Sequence, residues 1–166
     1  MATFPTVALS VRQPWAWAII AAGKDVENRS TPAVNHGMHP VRIAIHAAKG
    51  MTRDEYEAAR DFMKTLGVQC PRPDELVRSA IIGVVTVTAV VAESTSPWFF
   101  GPRGLLLADA CQISPIPAAG QLGYFLWKES GTAANPLPWM KAWPEAVRRN
   151  SPEKTQPQLP LFEVQS

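Results

Sequence analysis

The chain has 166 residues, 46% of them hydrophobic and 18% charged, which suits one ordinary globular domain and excludes a chain disordered throughout. Its 16 basic and 14 acidic residues leave a net charge of +2, too little for tight non-specific binding to a polyanion, so any basic site must be local. The two cysteines, Cys70 and Cys111, lack CxxC spacing and a nearby His pair, so neither a disulfide framework nor a zinc site is suggested and both are expected to be reduced.

The opening MATFPTVALSVRQPW has neither a positive leader region nor a cleavage site, and no apolar run approaches the about 18 residues of a membrane helix. A cytoplasmic protein is expected. Val7, Leu9 and Val11 alternate with Ala8, Ser10 and Arg12, the period of a half-buried first strand. Pro14 suits a helix start, WAWAIIAA supplies its apolar surface, and Gly23 fits the left-handed position that ends helices, so a short helix is predicted over about 14–22. Asn28 to Pro40, rich in Pro, Gly, Asn and His, is assigned to loop. Val41 to Ala47 reads as a strand with Ile43 and Ile45 on one face and Arg42, Ala44 and His46 on the other.

Thr52 with Glu55 three residues on forms a capping box, and Tyr56, Ala59, Phe62, Met63 and Leu66 recur at helical spacing, predicting a helix over 53–66. The β-branched run 80–92 predicts a central strand buried on both faces. Shorter strands are predicted at 104–108, 111–114 and 121–128, separated by Pro and Gly turns. Several strands interrupted by two helices indicate an α+β barrel of residues 1–130. LPWMKAWPEAVRR suggests a short helical extension within 131–150, and 151–166 has the composition of a disordered tail.

The segment LSVRQPWAWAIIAAGKDVENRS, a strand, a QPW-initiated helix and then GKDVENR, closely resembles the opening of ASCH domains with their G-x-K-x-x-E-x-R motif. RIAIHAAKG, IIGVVTVTAVV and SPWFFGPRGLLLADACQISPIPAAGQLGYFLW resemble the family's second strand, long central strand, and aromatic loop with closing strands, so the resemblance spans roughly residues 7–128. It implies a PUA-like mixed β-barrel with flanking helices and a cleft between barrel and helices, in a superfamily that commonly binds RNA or modified bases. Fold alone does not fix function.

The residues of the motif carry a chemistry of their own. In an extended segment after the helix, side chains 27 and 29 project to the same side, placing Glu27 beside Arg29, with Lys24 at the helix end. Arg and Lys donate to base carbonyls or phosphate, whereas Glu accepts from an exocyclic amine. The competing reading is an ion pair anchoring the helix exit. Gln13, Trp15, His46, Lys49, Trp98 and Phe99 are the other candidates for the cleft. Aromatics of the SPWFFGP loop offer a stacking surface for an unpaired base or else plug the barrel end. His46 is a candidate proton carrier, or simply a structural strand histidine.

Some small ASCH proteins are amidohydrolases of acetylated cytidine that use a Lys, a nucleophilic Thr three residues on, and a distant Glu. Lys24 matches that Lys, but Glu27 occupies the Thr position, so the hydroxyl nucleophile is missing. In the tail, QLPLF resembles the pentapeptide with which many bacterial replication and repair proteins dock on the sliding clamp; Gln158, Leu159, Leu161 and Phe162 would make that contact. The expectation is a monomeric nucleic-acid or nucleobase binding module, RNA ahead of DNA, without cofactor or metal. The alternatives are a ribonuclease or nucleoside hydrolase using Lys24 and Glu27, and a clamp-associated interaction protein.

Overall fold

The computed structural model describes residues 3–30 and 41–144. The predicted disordered tail and the QLPLF segment, with Gln158, Leu159, Leu161 and Phe162, lie outside the described residues.

Among the described residues, six strands form a single mixed sheet, curled into a half-barrel, in the order β2-β5-β4-β3-β1-β6. They are β1 (Val7–Val11), β2 (Val26–Arg29), β3 (Val41–Ala47), β4 (Ala80–Val91), β5 (Arg103–Pro117) and β6 (Tyr124–Leu126). The helices α1 (Trp15–Ala21), α2 (Arg53–Thr65) and α3 (Pro138–Lys141) complete an α+β fold. β1 runs parallel to β3, with Ser10 opposite His46, and the other pairings are antiparallel.

Alternation along the strands sorts residues onto two faces. Leu9, Val11, Ile43, Ile45, Ala47, Val85, Val87 and Leu105 form the main core with Ala16 and Ile19 of α1. Ala8, Ala44, Ile81, Ala118 and Phe125 form a smaller cluster on the opposite face. We call the face under α1 the inner face. Helix and sheet approach closely there: a Cβ on Gly83 would lie 2.6 Å from both the Cys111 carbonyl oxygen and Ile20 Cδ1, so only glycine fits that point of β4.

α1 leaves the sheet as predicted, with Gly23 at φ +76° and the Lys24 amide donating to the Ala18 carbonyl. Thr52 caps α2, its hydroxyl accepting from the Glu55 amide at 3.2 Å. The helix buries Tyr56, Ala59 and Met63. The described part of the extension folds onto α2: Met140 and Trp143 join Tyr56 in one cluster, and the guanidinium carbons of Arg53 and Arg60 lie 5.1 and 5.2 Å from the Trp143 ring centroid.

Four sequence assignments change. Asn28 and Arg29 belong to strand β2, because pairing with Gly104 and Arg103 overrides the turn-forming composition of their neighbourhood. The segments expected as separate strands at 104–108 and 111–114 are one strand, β5, whose register shifts against β4 and whose Asp109 at φ 55° absorb the irregular residues without breaking the ladder. Only Tyr124–Leu126 of the expected 121–128 strand pairs with β1. β4 is not buried on both faces throughout: Thr86 is half-buried, Thr88 is exposed and residues 89–91 are half-buried, since the alternation of the strand turns Thr86 and Thr88 away from the core that Val85, Val87 and Val90 meet.

Candidate functional site

Where α1 ends, the chain turns directly into β2, and three charged side chains meet on the inner side of the sheet. Lys24 Nζ lies 3.2 Å from Glu27 Oε1 and also donates to the Val26 carbonyl. Glu27 Oε2 lies 3.4 Å from Arg29 Nη2, which donates to the Ser10 carbonyl at 2.8 Å. Side-chain exposure is only 2% for Lys24, 11% for Glu27 and 19% for Arg29. β2 is one edge of the sheet, and β1 lies next to the other edge, so Arg29 spans the seam where the curled sheet nearly closes.

The electrostatics follow from this enclosure. Burial pushes the Lys24 ammonium below its ordinary value, opposed by the adjacent Glu27 carboxylate and reinforced by Arg29. Across the seam, burial raises the Tyr124 phenol, with Arg29 acting against that rise and Glu27 adding to it. Two buried polar atoms here, Arg29 Nε and the Tyr124 hydroxyl, have no hydrogen-bond partner among the described residues. An orphaned buried donor costs about 1 to 3 kcal/mol, so their placement marks somewhere a ligand atom or water would be welcome. The Trp15 ring lies beside the cluster, with Lys24 Nζ 5.9 Å from its centroid.

The remaining candidates do not share this site. Gln13 is consumed structurally: its Nε2 donates to the Val77 carbonyl and its Oε1 accepts from the Trp17 amide. Trp98 is only 5% exposed, wedged against Trp15 and Phe62 with ring centroids at 6.4 and 5.7 Å, so it offers no free face for stacking. Phe99 is half-buried, packed over Gly104 so tightly that a Cβ there would fall 2.9 Å from its ring. The aromatic that sequence reasoning passed over is Phe100, 58% exposed and edge-on to Phe62 and Trp15. Nothing in three consecutive aromatics signals which one stays outside. Tyr124 was also missed, since only the sheet order brings it to the seam.

His46 and Lys49 line a separate cavity of about 590 Å³ on the outer face, together with Ser10, Ser79, Gly120 and Thr132. The single cleft expected from sequence is thus two places, because His46 alternates with Ile45 and so points away from the main core. The two places meet at Ser10, whose carbonyl holds Arg29 and whose hydroxyl bonds His46.

His46 is 1% exposed, and burial lowers its pKa against a smaller opposing effect of its hydrogen bond to the Ala118 carbonyl. The folded imidazole therefore binds a proton less readily than the unfolded one. Its contribution to stability is complete above the ordinary value of 6.5 and is lost as the pH falls toward the lower folded value. Urea unfolding midpoints are expected to decline through this window, and a His46→Gln chain is expected to lose that part of the slope.

No protein-family model matches the chain, and no curated protein matches it significantly. Six chains among solved structures do match. One is a serine-to-alanine mutant of ZmASCH from Zymomonas mobilis, at 17% identity, covering 87% of this chain and 99% of that one, with a TM-score of 0.36. So loose an overlap adds no argument about the site to the geometry above.

Proposed function

We propose that this chain is an ASCH-type, PUA-like domain that holds a nucleobase, free or in an unpaired stretch of nucleic acid, at the seam formed by Lys24, Glu27, Arg29 and Tyr124. The observation that carries the reading is the pair of buried, unpartnered groups, Arg29 Nε and the Tyr124 hydroxyl, beside a buried carboxylate. A base edge presents carbonyl acceptors and amine donors side by side. Arg29 Nε would donate to the former, and Glu27 would accept from the latter. The Trp15 ring lies beside the cluster, with Lys24 Nζ 5.9 Å from its centroid, and supplies apolar surface for the base. The preference for RNA over DNA rests on the resemblance of the GKDVENR segment to ASCH domains.

Binding is favoured over catalysis by the same residues. A Lys24 and Glu27 pair has no hydroxyl nucleophile, so acetylcytidine is expected not to be turned over at a useful rate. Product analysis of chain incubated with acetylcytidine checks this; turnover abolished by Lys24→Ala would restore the hydrolase reading.

A thermal-shift panel of nucleosides, modified nucleosides and short RNA and DNA tests the proposal, because a ligand of the native state raises its melting temperature. Arg29→Ala is expected to abolish the ligand-induced shift while keeping the unliganded melting temperature close to the parent's. A large fall in that temperature with ligand affinity intact would make Arg29 a seam strut and nothing more.

A further inference from the structure

The outer cavity holds an arrangement that the base site does not use. His46 Nε2 lies 2.8 Å from the Ala118 carbonyl, which can only accept, so Nε2 carries the proton and Nδ1 presents its lone pair. Ser10 Oγ lies 2.9 Å from Nδ1 and therefore donates its hydroxyl proton to it. A hydroxyl, an imidazole base, and a group that fixes the base's tautomer from behind are the three parts of an activated serine nucleophile.

The surroundings of the pair point to use of this hydroxyl. Ser10 lines the cavity of about 590 Å³, a size that accommodates a small molecule. Gly120 lies directly over the pair: a Cβ there would be 2.6 Å from His46 Cε1 and 3.1 Å from Ser10 Oγ. Gly120 does not adopt a positive φ, so what demands glycine is the close packing of its backbone against His46 and Ser10, which holds the pair in place. Lys49 brings a cation to the same cavity, and Ser79, Ser130 and Thr132 bring hydroxyls.

We propose that Ser10 is a nucleophile and His46 its general base, forming with Lys49 a second site that cleaves small carboxylic esters with a polar alcohol portion. This inference stands apart from the base site. Ser10 Oγ attacks the ester carbonyl carbon while its proton passes to His46 Nδ1, and Lys49 offsets the charge on the tetrahedral oxygen. The bond to the alcohol oxygen then breaks, and the departing oxygen takes the proton from Nδ1. Water, deprotonated by Nδ1, cleaves the acyl-serine and returns Oγ its proton. The sum is ester plus water to acid plus alcohol, with no change of oxidation state. A neutral, buried His46 suits the task of a base at neutral pH.

The full chain incubated with a fluorophosphonate probe is expected to carry the label on Ser10, located by peptide mass spectrometry. It should also hydrolyse p-nitrophenyl acetate. Ser10→Ala is expected to lose both the label and the hydrolysis while remaining folded, and His46→Gln to slow labelling by about 100-fold. If His46→Gln does not fold, the parent's labelling rate replaces it and should fall as the pH drops through the folded His46 value. Absence of label on Ser10 in the folded chain, ester hydrolysis by Ser10→Ala at the parental rate, or a labelling rate flat across that pH range would each overturn the proposal.

Discussion

Replacing Glu27 by leucine is expected to cost about 3 to 5 kcal/mol of folding stability, a fall in melting temperature on the order of 10 °C. The carboxylate is the shared partner of Lys24 and Arg29, at 3.2 and 3.4 Å. Without it two cations face one another in an enclosed space, and the Lys24 side chain, 2% exposed, cannot turn to water for compensation. The ammonium must stay charged and poorly solvated or lose its proton, and both are costly well below its ordinary value of 10.5. The double variant Lys24→Met with Glu27→Leu is expected to recover much of the loss, since removing a whole buried pair is cheaper than halving it. Urea unfolding of the single and double variants measures both quantities. A loss below about 1 kcal/mol for Glu27→Leu would place the cluster with solvated surface pairs instead.

Trp98→Ala is expected to be as damaging, at about 3 to 5 kcal/mol. The indole fills the junction between α1, α2 and the loop before β5, touching Trp15 and Phe62 edge-on, and its carbonyl accepts from Asn28 Nδ2 at 2.9 Å. Deleting the ring leaves a void among rings that cannot all close over it. Phe100→Ala provides the contrast. With 58% of that residue exposed, the stability change should stay within about 0.5 kcal/mol. Chemical denaturation of the two variants side by side measures the contrast. A fully stable Trp98→Ala chain would show that the indole is not a plug at this junction.

Local signals were legible wherever one element answers to its own residues. The alternation of Val7, Leu9 and Val11, the Thr52 and Glu55 cap and the glycine after α1 each act within a few residues, and each element stands where they put it. The long β5 was not legible, because Pro115, Pro117 and Asp109 look like breakers until a bulged partner strand accommodates them. The site divided in the same way. Glu27 and Arg29 share a side by the simple period of a strand, and the helix end delivers Lys24 to them. Tyr124 arrives from nearly the other end of the described chain, and Ser10 meets His46 only through a parallel register that no stretch of sequence announces. Burial of Trp98 rather than Phe100 depends on where Phe62 and Trp15 stand, which is a property of the assembled molecule.

The strand order also has a bearing on how the molecule is made. β1 is synthesised first, yet its partners are β3 and β6, and β6 pairs Leu126 with Val7. The β4 and β5 hairpin, by contrast, joins neighbours in sequence and forms the longest ladder. A growing chain therefore emerges from the ribosome with its first strand unpaired, gains one neighbour when β3 appears, and keeps a bare apolar edge until Tyr124–Leu126 has left the exit tunnel. Until then that edge is the nascent sheet's exposed flank, and the short β6 is the clasp that covers it.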